Sequence, residues 1–324
     1  MKKFTHAWLA FMAIKRLEET KLSDTDRRYA NNLIKWFKNH KDGVTQGAWY
    51  PDSVIKDMAN SHVLKLTTSD EAQNKFKRLP STYLNYHYGK SSPLWKKSFT
   101  IEKDDNLPDR CESIAHSVID HLKMQESEDK GSPVSPTDNQ IALLLFMLSH
   151  YVADAHMPFH CDSRRFSEGK NLHGYIEGKW DDIIRRYYRI DEDNDRFFYD
   201  PDGYPLRALE DSRIDQEYQA SFLKTVEDVL RDRKFVISWG AKNSNVWDFM
   251  SAICQYSYLL SYRFIPEQYN HTNVTLTNWQ SLGLISFDDF SVAVLSDAID
   301  SIARVWFRVW RKYLKWERKQ RAEK

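Results

Sequence analysis

The residues most able to do chemistry lie in the segment LSHYVADAHMPFHCDSR, which holds His150, Asp154, His156 and His160. His150 and Asp154 are four apart, so on a helix both point to one face. Thirteen residues after His160, NLHGYIEGKWDD repeats the spacing with His173 and Glu177. One His-x3-Asp pair on a helix is ordinarily a surface ion pair. Here His150 follows the apolar run Ile141–Leu148 and must lie in the interior or in a cleft, where an unpartnered imidazole and carboxylate are costly. Two such pairs plus His160 within 28 residues make a donor set of neutral imidazoles and carboxylates. That is the set zinc prefers outside cysteine-rich structural sites.

These side chains must be held by helices. The chain has 324 residues with only 10 Gly and 10 Pro, too few for a turn-rich β architecture. Apolar periodicity predicts helices near 6–20, 24–40, 109–124, 138–156, 172–188, 208–234, 244–265 and 287–317. Ser23 and Asp24 open the second, and Ser135 to Asp138 open the fourth. Ile141–Leu148 is apolar all round and belongs in the middle of a bundle. Pro158 is expected to end the fourth helix, with His160 just beyond it. Residues 42–108 and 125–137 read as irregular, and the former is long enough to carry functional loops. The expected fold is all-α: one domain over 1–324, a multi-helix bundle with long functional loops and a metal cluster in a cleft.

Composition narrows the function. Lys+Arg is 47 and Asp+Glu is 46, so no global charge draws the chain to nucleic acid or an anionic membrane. No apolar run approaches the roughly 20 residues of a transmembrane helix. Cys111, Cys161 and Cys254 form neither a disulfide framework nor a C-x-x-C zinc pattern. The opening MKKFTHAWLAFMAIKRLEE imitates a signal peptide but is interrupted by His6, ended by Lys15 and Arg16, and lacks a cleavage site. By default the expectation is a cytoplasmic chain. Asp191, Asp193 and Asp195 stand in calcium-loop order, yet Arg196 occupies the position where an EF-hand needs Gly, so a solvated acidic turn is expected.

The pattern H-x3-D-x5-H followed by H-x3-E resembles the trinuclear zinc phosphoesterases, which include zinc-dependent phospholipase C and the single-strand nucleases. His150, Asp154 and His160 match the central run, with His156 and Pro158 in its H-x-P-x-H end. His173 and Glu177 match the second pair. Glu177, followed by Asp181, looks more like the phospholipase branch; the nuclease branch usually has Asp in place of that Glu. The last helix, SDAIDSIARVWFRVWRKYL, is also similar to the phospholipase's. The stretches near 50–108 and 190–280 do not match.

The resemblance implies further ligands. His6 resembles the family's N-terminal His, Asp52 of GAWYPD its early Asp, and His62 of NSHVLK the His that follows. The gap from Asp52 to His62 is short for the family, and His87 of NYHYGK stands as the alternative. The family's mature chain begins with Trp, whose amino group and carbonyl bind zinc. Here Met1 lies five residues before His6, the offset of the nuclease branch, and its amino group is expected to serve. Three zincs follow: a close pair bridged by Asp154 and held also by Met1, His6, Asp52, His62 and His150, and a third on His160, His173 and Glu177. His156 is expected to stand behind the ligands. His116, His121, His40 and His271 read as structural, rim or surface residues.

The implied activity is zinc-dependent phosphodiester hydrolysis by metal-bound hydroxide. Zinc lowers the pKa of its water to about 7. Asp52 would orient the nucleophile or act as general base. The expected partner is a phosphodiester substrate, a phospholipid headgroup or single-stranded nucleic acid; no protein partner is expected. Trp49, Tyr50, Phe76, Tyr83, Tyr86, Tyr88, Trp95 and Phe99 could stack on bases, meet lipid or fill the core. The family is typically secreted, in tension with the missing leader. A nuclease of the same fold is the first alternative, and a non-catalytic helical zinc protein the second. A HD-type phosphohydrolase needs an adjacent His-Asp, which is absent. A ferritin-like di-iron bundle needs Glu-x2-His pairs, whereas these carboxylates follow their histidines by four.

Overall fold

The computed structural model describes residues 1–56, 62–68, 99–101, 106–127, 135–166, 172–208, 212–237, 245–266, 268–283 and 285–323. Helix α1 (Lys3–Glu19) is buried nearly all round: Phe4, Trp8, Leu9, Phe11, Ile14 and Leu17 leave it no solvent face. Each such side chain, fully withdrawn from water, contributes about 1.5–3 kcal/mol. Helix α2 (Asp24–His40) is amphipathic, and Ser23 caps it by accepting from Asp26 N. A short 3₁₀ turn leads to α3 (Val44–Tyr50), which tightens into a π-helical turn over Pro51–Ile55. Lys56, at φ 55, closes that turn by donating its N–H to the Pro51 carbonyl. A two-stranded antiparallel ribbon follows, β1 (Leu66–Thr68) on β2 (Phe99–Ile101), with Leu66 opposite Ile101.

Helix α4 (Leu107–Ser127) precedes α5 (Asp138–Ala155), which opens on a reciprocal capping box between Thr137 and Gln140. Pro158 is the first residue of a separate short helix, α6 (Pro158–Cys161), so His160 sits within a helix and not in a tail beyond one. This corrects the sequence expectation. Proline cannot continue a helix but suits the first turn of the next. Helix α7 (Leu172–Tyr187) leads into a hairpin of β3 (Ile190–Asp191) and β4 (Arg196–Phe197). The acidic turn there is satisfied by the chain: Asp191 accepts from Asn194 and Arg196, and Asp195 pairs with Lys3.

The helix expected over 208–234 is two, α8 (Ser212–Gln219) and α9 (Phe222–Asp232), because Ser221 caps α9 by accepting from Lys224 N. Helix α10 (Val246–Phe264), the short α11 (Trp279–Leu282) and α12 (Phe287–Glu323, 37 residues) complete the order. Among the described residues the architecture is all-α apart from two small ribbons. Helix α12 packs along α1, α4, α5 and α9, and α3 packs on both α1 and α5. Buried tryptophans are tied as well as packed: Trp306 Nε1 donates to the Leu145 carbonyl at 2.9 Å and Trp180 Nε1 to Ser291 Oγ at 2.7 Å. Among the described residues, no helix is long and apolar enough to cross a membrane.

A seam of charges is buried where α1, α9 and α12 meet. Arg16 Nε donates to Asp300 Oδ1 at 2.8 Å, and Arg16 Nη2 to the Arg233 carbonyl at 2.7 Å. Arg233 pairs with Asp297 and lies 3.4 Å from Asp300 Oδ2. Arg304 Nε donates to the Val236 carbonyl at 2.7 Å. Burial pushes the Asp297 carboxyl up to about 6, against the pull of Arg233.

Candidate metal centre

Helix α5 delivers His150 and Asp154 on one face, and both are fully buried. Asp154 is the middle of the site. Its Oδ1 lies 3.1 Å from the Met1 amino nitrogen and 3.5 Å from His6 Nε2. Its Oδ2 lies 3.2 Å from His150 Nε2, 3.7 Å from His160 Nδ1 and 3.9 Å from His62 Nε2. The two oxygens therefore face two groups of donors. Helix α7 adds His173 and Glu177: His173 Nε2 is 2.7 Å from Glu177 Oε1 and 3.0 Å from His160 Nε2. Glu177 Oε1 is also 2.6 Å from the Met1 nitrogen.

Asp52 arrives on the π-helical turn after α3. Its Oδ1 is 3.2 Å from His62 Nε2 and 3.6 Å from His150 Nε2. The approach of α3 to α5 depends on Gly47. A Cβ there would stand 2.8 Å from Phe146 Cβ, closer than a side chain can tolerate. That approach also brings the Ala48 carbonyl to 2.7 Å from His150 Nδ1. The His62 carbonyl likewise lies 2.8 Å from His160 Nδ1. A ring nitrogen that donates to a carbonyl fixes the neutral tautomer, leaving a lone pair on Nε2. Those nitrogens face other ring nitrogens: His150 Nε2 lies 2.9 Å from His62 Nε2, and His160 Nε2 lies 3.0 Å from His173 Nε2.

Protonation follows from the surroundings. Burial, then His150 and the Met1 ammonium, hold His6 well below the ordinary histidine value, and burial lowers His160. Burial opposes ionisation of Asp154, but the Met1 ammonium and the imidazoles of His160, His150 and His6 hold its carboxyl well below the usual range. Glu177 is held down against burial by His173, the Met1 ammonium and His160. Burial pulls the Met1 amino group down, but Asp154, Glu177 and Asp52 overcome it and raise it to about 10.

The donors fit a divalent cation on three counts. Both ring nitrogens of His6 are buried without a hydrogen-bond partner. Three groups, His6–Asp52–His150, His62–His150–Asp154 and His160–His173–Glu177, each bring their donor atoms within 4.8 Å of one another. Two ligands 2.0–2.1 Å from one tetrahedral zinc lie roughly 3.3 Å apart, the scale of the separations found here. Among the described residues, the ion pairs to Asp52, Asp154 and Glu177 come only from imidazoles and the Met1 amino group.

Met1, His6, Asp52, His62, His150, Asp154, His160, His173 and Glu177 thus meet in one place. His87 lies outside the described residues, as do Phe76, Tyr83, Tyr86, Tyr88 and Trp95. Trp49 and Tyr50 are half-buried, and Trp49 stands against His6 and His150. His156 faces away, toward the seam, where burial, Arg304 and Arg233 push it down to about 3. His116 is an exposed partner of Glu112, and His121 bonds the Ser117 carbonyl. Sequence reading missed the carbonyls of Ala48 and His62, which no residue type signals, and the helical geometry around Asp52.

No protein-family model matches the chain, and no curated protein does. Among solved structures it is similar to Clostridium perfringens alpha-toxin from an avian strain, at 14% identity and a TM-score of 0.45. That likeness covers 94% of this chain but only 63% of the toxin chain, so this chain spans less than two thirds of that protein's length.

Proposed function

We propose that the chain is a zinc-dependent phosphoric ester hydrolase of the phospholipase C type, acting on a phosphodiester through the cluster around Asp154. One observation carries the reading: three carboxylates and five imidazoles from far-apart stretches converge, and among the described residues the ion pairs to those carboxylates come only from these imidazoles and the Met1 ammonium. Asp154, with one oxygen toward Met1 and His6 and the other toward His62 and His150, would serve both groups of donors as a shared ligand. Asp52 completes the His62–His150 side. His160, His173 and Glu177 form the third subsite. The Met1 amino group would become a ligand by releasing its proton to solvent as a cation takes its place beside Asp154 and Glu177. Zinc held in this way supplies Lewis-acid activation of water and positive charge for a phosphate.

The chain's own groups do the rest. Asp52 is part-exposed at the rim, where its carboxylate can orient an entering water and take its proton. The carbonyls of Ala48 and His62 keep the rings of His150 and His160 aimed. Glu177 in place of Asp favours a phospholipid headgroup over single-stranded nucleic acid.

Metal analysis with assay on bis-p-nitrophenyl phosphate tests the reading; three zincs with hydrolysis are expected. Bound iron, or zinc without hydrolysis, would overturn it in favour of another class. Side-by-side assay on phosphatidylcholine and single-stranded DNA decides the substrate, with the lipid expected to be preferred. Residues appended before Met1 should lower the zinc content from three toward two.

A further inference from the structure

Asp181 has no part in the cluster described above, yet it lies on the same face of α7. His173, Glu177 and Asp181 follow one another at intervals of four, so their side chains form a single file along the helix. His173 meets His160, Glu177 grips the Met1 amino group, and Asp181 reaches the first turn of α1. Its Oδ1 accepts from Thr5 N at 3.0 Å and from Thr5 Oγ1 at 3.4 Å.

Helix α1 needs this carboxylate. Its own N-cap residue, Lys2, makes no side-chain cap, and its first turn holds no acidic residue. The opening N–H groups of a helix have no intrahelical acceptors, and a carboxylate there satisfies them and complements the helix dipole. His6 is the next residue after Thr5, and Met1 lies one turn before it. Fraying of this turn would carry both away from Asp154.

We infer that Asp181 is a positioning residue: a cap lent by α7 to α1 that holds the Met1 amino group and His6 in register with Glu177 and Asp154. The part of the test that reads zinc rests on the proposed metal reading; the part that reads the amine does not.

The experiment compares Asp181→Ala, Asp181→Asn and the control Asp182→Ala, an exposed neighbour on the same helix. Metal-free full-length protein is treated with an amine-reactive succinimidyl ester at neutral pH, and labelling of the Met1 α-amino group is followed by mass spectrometry. Asp181→Ala should be labelled at least tenfold faster than the parent. Asp181→Asn, which keeps an acceptor oxygen, should stay within threefold, and Asp182→Ala should match the parent. Should the alanine variant fail to fold, Asp181→Ser, too short to bridge the helices, repeats that arm. After dialysis against zinc, the alanine or serine variant should hold about one equivalent less than the parent. Labelling within twofold of the parent overturns the inference. Faster labelling in a protein whose parent binds no zinc would sustain the cap and remove the metal reading.

Discussion

Two polar regions are buried along α1, and they are built on opposite plans. Near its C-terminal end, Arg16 meets Asp300, and Arg233 meets Asp297 and Asp300. There the chain supplies both signs, and spare guanidinium hydrogens go to carbonyls. Near its N-terminal end, His6 joins a set composed almost wholly of acceptors and lone pairs, with one ammonium among them. Burying unmatched groups is costly in both places. The first region carries both signs within the chain itself. The second gathers three carboxylates and several imidazoles with donor atoms close together, which makes it and not the seam the candidate for chemistry.

The sharpest way to break this contrast is to remove the middle of the cluster. Asp154→Asn keeps the shape and one acceptor but deletes the shared charge; hydrolysis of bis-p-nitrophenyl phosphate should fall by about a thousandfold or more, with zinc content reduced. Folding should survive, as far-UV circular dichroism would check. The seam should answer in reverse. Asp300→Ala strands Arg16 and should destabilise the fold by about 3–5 kcal/mol in urea titration, while zinc bound per folded chain stays unchanged.

Next comes pH. The Asp297 carboxyl ionises less readily folded than unfolded, rising from 3.8 to about 6. Its contribution is therefore fully present below 3.8 and lost as pH rises through about 6. At roughly 1.4 kcal/mol per unit, the stability of the parent relative to Asp297→Asn should decline by about 3 kcal/mol between pH 3.5 and pH 7. A flat difference across that range would remove the role given to Asp297. The smallest effect falls between the regions: Gly47→Ala pushes α3 off Phe146 and should cost about 1–3 kcal/mol, with a weaker hold on the Asp52 side of the cluster.

How much of this was legible beforehand differs by residue. The pairs His150/Asp154 and His173/Glu177 declared themselves because a spacing of four on a long helix is a local rule. The all-α class followed from scarce Gly and Pro and from long periodic stretches. Asp52 did not reveal its setting. The stretch from 42 read as irregular, yet within it Gly47 serves a close helix contact and Pro51 opens a π-helical turn. The break at Ser221 was hidden within one continuous amphipathic pattern. Asp181 was visible as a residue but not as a cap, since its partner is 176 positions away. The signed seam escaped notice for the same reason: its pairs join α1 to α12 across 284 residues.

The carbonyls of Ala48 and His62 have one more consequence. An acceptor carried by the peptide unit outlasts nearly every exchange of the side chain on the same residue, provided the path of the backbone is kept. What aims His150 and His160 is thus invisible to inheritance at the level of amino-acid identity. A chain of this kind can drift far from its relatives in letters while its imidazoles go on pointing the same way.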